Sequence, residues 1–157
     1  MTWLTELPAS LVYVVAAALI FAETGLLVGL VLPGGELVLL LVGFLASLGT
    51  VNPYVAAVVL IVAALAGDAV GFREGVRYGP RLRSSRVGTW VGEERWHRAA
   101  TLFYRHGGRA VFFGRFVAFA RTLMPRLVAM GGGPYRRFLA WDALGITTQV
   151  VASVAVG

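Results

Sequence analysis

From residue 37 to residue 67 the chain carries no charged side chain, and no other feature narrows its fold as much. At ~1.5 Å per residue, one helix of that length overreaches a hydrocarbon core of roughly 30 Å. Asn52-Pro53 interrupts the run and divides it into two apolar segments. Charged residues make up only 14% of the 157, and hydrophobic residues 58%. A soluble domain carries roughly 25% charged residues. A water-solvated domain is excluded, and the chain reads as an all-α polytopic membrane protein with a single membrane domain over 1–157.

The organisation follows from spans, then charge bias, then interfacial anchors. A first helix is expected over 9–22; with Glu6 and no base before it, it reads as a retained helix rather than a secretory signal. An interrupted apolar segment follows over 25–48. Inside it lies Leu32-Pro33-Gly34-Gly35-Glu36, where proline removes a donor and two glycines loosen the backbone. Non-helical backbone at membrane depth needs cover from protein or water. The segment is therefore expected to be a re-entrant hairpin with its tip at residues 33–36. A full crossing over 53–72 comes next.

Residues 73–109 hold nine Arg and three Glu and are too charged to span. By the positive-inside bias this is a cytoplasmic loop. Within it Trp96, Ala99, Ala100 and Phe103 fall at near-helical spacing among Arg95, Arg98 and Arg105, as in an interfacial helix. A second interrupted stretch over 110–132 contains Pro125 and ends at three glycines, which suggests a second hairpin. A last crossing takes 138–157. With Asn52 outside and the basic region inside, the hairpins enter from opposite faces, an inverted repeat. Gly29, Pro33 and Glu36 match Gly114, Ala118 and Arg121 in spacing, and Pro53-Tyr54 matches Pro134-Tyr135. Such repeats meet at the substrate site in many transporters.

Charges inside apolar segments mark the candidate chemistry. Glu23, Glu36 and Asp68 are the acids in the most apolar surroundings, and desolvation raises a carboxylate's proton affinity. They are candidate proton carriers, with Glu36 placed deepest by the hairpin; the alternative for Glu23 and Asp68 is an interfacial position or an arginine partner, which for Glu23 is equally compatible. Arg115, Arg121 and Arg126 are costly in lipid, at roughly 2.5–3.5 kcal/mol each on insertion scales. Pairing with Glu36 and Asp68 would offset that cost, as would a lipid phosphate held by two-pronged hydrogen bonds. Arg121 favours phosphate; Arg115 and Arg126 could equally snorkel to the interface.

All fourteen basic residues are Arg, with no Lys, and the net charge is +6. The planar guanidinium suits phosphate. Arg73, Arg77, Arg81, Arg83 and Arg86 are expected to fix topology and touch anionic lipids. Trp3, Trp90, Trp96 and Trp141 are expected at membrane interfaces. The chain has no cysteine, so disulfides, thiol nucleophiles and cysteine-held metals are excluded. His97 and His106 have no second ligand at metal spacing, and no serine has a histidine and an acid plausibly beside it. No cofactor, metal, nucleic-acid partner or enzymatic activity is expected. The glycines around Gly71 and Gly75 lack phosphate-loop spacing and suggest close helix packing.

Four pieces together resemble the DedA family, the bacterial members of the VTT (SNARE-associated) domain proteins. They are Glu23-Thr24-Gly25 with Pro33-Gly34-Gly35-Glu36; Gly67-Asp68 with Gly71-Phe72-Arg73 and Tyr78-Gly79; Gly114-Arg115-Phe116 with Ala120-Arg121-Thr122; and Gly131 with Tyr135, Arg136, Arg137 and Phe138. The resemblance implies two opposed re-entrant hairpins and, for several bacterial relatives, return of undecaprenyl phosphate to the cytoplasmic leaflet, coupled to an ion gradient. Eukaryotic relatives scramble phospholipids. Glu36 and Asp68 match the family's essential acids, and Arg115 and Arg121 its essential arginines. The chain differs from the usual pattern at Ala118 (proline), near Asp142 (asparagine), near Thr148 or Gln149 (tryptophan), and in ending before a further C-terminal helix.

The expected function is therefore a flippase for an anionic lipid carrier in the bacterial cytoplasmic membrane, with proton or ion coupling. Its partners would be a lipid phosphate head group and anionic membrane lipids. Oligomeric state stays open, a homo-oligomer included. Phospholipid scrambling, small-ion transport, lipid-phosphate hydrolysis and a nontransporting organiser of membrane partners are the alternatives.

Overall fold

The computed structural model describes residues 8–26 and 34–157. Every regular element among them is helical. Gly29 and Pro33, and with them part of the expected first hairpin tip, lie outside the described residues, as do Trp3 and Glu6.

Helix α1 runs Ala9–Gly25, three residues beyond the expected end, so Glu23 is helical. Helix α2 covers Gly35–Ser47. Helix α3, Pro53–Ser84, opens with proline at its first turn, where no N–H is missed, and with Asn52 as cap. The Asn52 side-chain oxygen accepts from the backbone N–H of Tyr54 at 2.9 Å and of Val55 at 3.3 Å. The Tyr13 hydroxyl accepts from Asn52 N–H at 2.8 Å, which ties α1 to this cap.

Helix α3 does not stop near residue 72. It continues through the arginine-rich segment as far as Gly79-Pro80, where Gly79 takes φ +35° and kinks the chain. Arginine is a good helix former, so net charge ends the membrane span without ending the helix. The expected loop over 73–109 is thus almost wholly helical: the end of α3, then α4 (Arg86–Val91) and α5 (Glu93–His106).

Helix α5 turns its apolar face onto the protein. Trp96 and Ala99 are fully buried, and they pack with Val91 against Leu123 and Leu127. The Trp96 indole donates to the Gly88 carbonyl at 3.1 Å. A satisfied N–H lets a tryptophan leave the interface for the protein interior. Trp90 remains exposed.

Gly107, at φ +57°, turns the chain into α6 (Gly108–Gly114). Residues 115–117 break the helix, and α7 (Ala118–Met130) follows, running through Pro125 without interruption. Helix α8, Tyr135–Val156, closes the chain. Among the described residues, α3 and α8 are long and apolar enough to cross a bilayer.

Small residues set the packing distances. A Cβ on Gly67 would lie 3.0 Å from Gly25 N, and one on Gly75 would lie 2.6 Å from Arg126 O. Helix α3 therefore approaches α1 at one level and α7 at the next, as small residues permit in membrane helices. Along α8, Gly145 adjoins Arg115 while Val154 lies against Gly43 of α2. The two short helices α6 and α2 thus occupy opposite halves of α8.

Candidate functional site

Buried charges gather where Arg115 adjoins the α6 half of α8. The chain break at 115–117 exists because the turn hydrogen bonds Arg115 N to Phe112 O (3.3 Å) and Val117 N to Gly114 O (3.1 Å) replace the helical ladder. It delivers Arg115 inward, 4% exposed. One turn into α7 stands Arg121, 5% exposed, and then Arg126, fully buried.

Each arginine meets carboxylates from other helices. Arg115 Nη1 donates to Asp142 Oδ1 on α8 at 2.9 Å and to Asp68 Oδ2 on α3. Arg121 Nη2 donates to Glu23 Oε1 on α1. Arg126 donates to Glu74 Oε2 from both Nε (3.0 Å) and Nη2 (2.7 Å), to Thr122 O (2.6 Å) and to Gly25 O (2.7 Å). The last of these places a cation on the carbonyl end of α1, where the helix dipole favours it.

The arrangement differs from the sequence reading at Glu36, which is exposed and has no ion partner among the described residues. Helical geometry explains it. Gly35, Leu39 and Val42 share the buried face of α2, and Glu36 points about 100° away from that face. Glu23 occupies the position opposite Arg121 instead, 8% exposed, and its carboxylate lies against Gly35 at the start of α2. A Cβ on Gly35 would collide with that carboxylate. Helix α2 therefore begins against the same acid that holds Arg121.

Two partners were not among the sequence candidates. Asp142, 2% exposed, carries the only charge in the last apolar segment, the same signal that singles out Asp68. Glu74 sits among arginines in the sequence and reads as a surface charge; the turn of α3 nevertheless aims it at α7.

Donors and acceptors do not balance completely. Arg115 Nε, Arg121 Nε, Asp68 Oδ1 and Asp142 Oδ2 are buried without a hydrogen-bond partner. Three carboxylates, Glu23, Asp68 and Asp142, face two guanidiniums, Arg115 and Arg121. By contrast, Arg126 and Glu74 balance each other. An open groove of about 1060 Å³ lies outside this network, along α3 between Phe21 and Tyr135, with Arg73 and Arg77 on its wall. Among the described residues no cluster of three or more potential metal ligands is present.

Apolar helices enclosing an arginine–carboxylate network define a helical membrane protein whose interior is built around charge. The VTT domain matches residues 32–157. Protein DedA of Escherichia coli K12 is 33% identical over 148 residues, covering 93% of this chain and 67% of that protein. The inner membrane proteins YghB and YqjA of the same strain are 37% identical over 132 and 36% over 131 residues; each match covers 82% of this chain and 58% of the relative. No solved structure matches the chain. The chain belongs to the DedA family of VTT-domain membrane proteins.

Proposed function

We propose that the protein is a bacterial inner-membrane transporter that carries the phosphate head group of a lipid, with undecaprenyl phosphate the substrate the family resemblance favours. One observation carries this reading: Arg115 and Arg121 are buried, each retains an unpartnered Nε, and each is held by carboxylates belonging to other helices. A phosphate reaching this level can take the two-pronged donation of either guanidinium. The displaced carboxylate then takes a proton or cation, because a lone buried charge is costly.

In this reading the broken stretches 25–48 and 110–132 are opposed re-entrant hairpins, and their arrangement is an inverted repeat. Support comes from α2 and α6 lying on opposite halves of α8, and from Glu23 touching both the start of α2 and Arg121. Alternating access would open the network first to one leaflet and then to the other, while the lipid chain stays in the bilayer. Arg115 and Arg121 bind phosphate; Glu23, Asp68 and the more exposed Glu36 respond to protons. Arg126 is spent on protein acceptors and serves as a clamp. Arg73 and Arg77 on the groove wall would meet anionic lipid at the surface.

The experiment is transport of labelled undecaprenyl phosphate in liposomes. Arg121→Ala should lower the rate about tenfold or more, the scale of a lost charged hydrogen bond. Glu36→Gln should weaken the response to a pH gradient. Unimpaired transport in both variants would remove this mechanism.

A further inference from the structure

Asp68 and Asp142 are the only two aspartates in the chain. Folding brings them, from α3 and α8, to a single nitrogen, Arg115 Nη1. The two carboxylates therefore converge on one donor, Asp142 Oδ1 standing 2.9 Å from it. Each uses one oxygen on Arg115, and each has its other oxygen, Asp68 Oδ1 and Asp142 Oδ2, buried with no donor.

The surrounding charges offer them nothing further. Arg121 is committed to Glu23 of α1, and Arg126 to Glu74 of α3. Glu36 of α2 is exposed and adds only negative charge. Two ionised carboxylates against one guanidinium leave a net negative charge among buried side chains. Two acceptor oxygens would also stay unsatisfied. One hydrogen shared between the carboxyls removes both costs, because the protonated acid becomes a donor to its neighbour.

We propose that Asp68 and Asp142 together bind one proton, forming an acid-pair site that bridges α3 and α8 behind Arg115. The proton belongs to the pair rather than to either residue. With it the Asp68–Asp142–Arg115 group is neutral and α8 is drawn to α3; without it the group turns negative and Arg115 is held more tightly away from any anion. The site deepens the transport reading by naming where a coupling proton resides. Its existence does not depend on the substrate.

The test uses the full chain in liposomes, with carboxyl-¹³C aspartate incorporated and infrared spectra recorded across pH. Because every aspartate is in the pair, the label reports on nothing else. The expected result is a carboxylic-acid C=O band at neutral pH that shifts with the label and disappears in Asp142→Asn, whose amide replaces the shared hydrogen in nearly the same shape. Only ionised carboxylate bands in labelled wild type, with or without sensitivity to sodium, would overturn the proposal, as would an acid band that persists in Asp142→Asn. Should that variant fail to fold, the labelled wild type decides alone. An acid band accompanied by no movement of lipid phosphate would end the transport reading and leave the proton site standing.

Discussion

Arg126 shows at single-residue scale why the sequence exposes charge but not its use. Its guanidinium reaches Glu74, Thr122 O and Gly25 O together, which fastens α7 to α1 and α3. Removing one partner of such a buried pair costs about 3–5 kcal/mol. Arg126→Ala should therefore lower the unfolding free energy in detergent by about that amount, whereas a loss under 1 kcal/mol in denaturant titration would contradict the clamp. The cost of arginine in lipid made Arg115, Arg121 and Arg126 visible as candidates from the sequence. Their partners were less legible. Glu36 stood out beside Pro33, but the rotation of one residue around α2 turns it outward and leaves Gly35 facing Glu23. Helix phase at a segment start depends on packing, which a local motif does not encode.

At the scale of elements, apolar runs and breakers located most helices, and the basic region shows what they leave out. Charge there signalled the end of the membrane span, yet the backbone stays helical to Gly79-Pro80 and resumes in α4 and α5. The Trp96 spacing announced an amphipathic helix; that its apolar face meets Leu123 and Leu127 depends on where α7 lies. Trp96→Ala should cost about 3–5 kcal/mol, the range for deleting a buried tryptophan. Rapid cleavage between α4 and α5 by added protease should accompany it, and protection equal to wild type would show that α5 rests on something other than Trp96. Arg83 pairs with Glu93 at 2.7 Å, linking the end of α3 to α5, and its hydrogen bond holds the Glu93 carboxyl below the ordinary range. The contribution is present above the usual glutamate value of about 4.3 and is lost as pH falls through the lowered one. Both groups are exposed, so the effect is small and should fade in high salt, which a comparison of Glu93→Gln with wild type at two ionic strengths would reveal.

For the whole molecule, packing follows from how α3 divides its neighbours. Its Gly67 level meets α1, its Gly71–Gly75 level meets α7, and α8 runs alongside with α2 and α6 on opposite halves. Gly75→Val would drive a side chain into the backbone of Arg126, separating α3 from α7 just where Glu74 must reach across. Overpacking of this kind costs about 1–3 kcal/mol. The same division fixes a topological expectation, because Ser47 and Ser85 flank opposite ends of α3. The absence of cysteine makes this directly measurable. Ser47→Cys should react with a membrane-impermeant maleimide added to intact cells, and Ser85→Cys only after the membrane is opened, if the positive-inside bias holds the arginine-rich end in the cytoplasm. Equal labelling of both from outside would place the two ends of α3 on one side, and an opposed pair of hairpins meeting at Glu23 and Arg121 could not then be built.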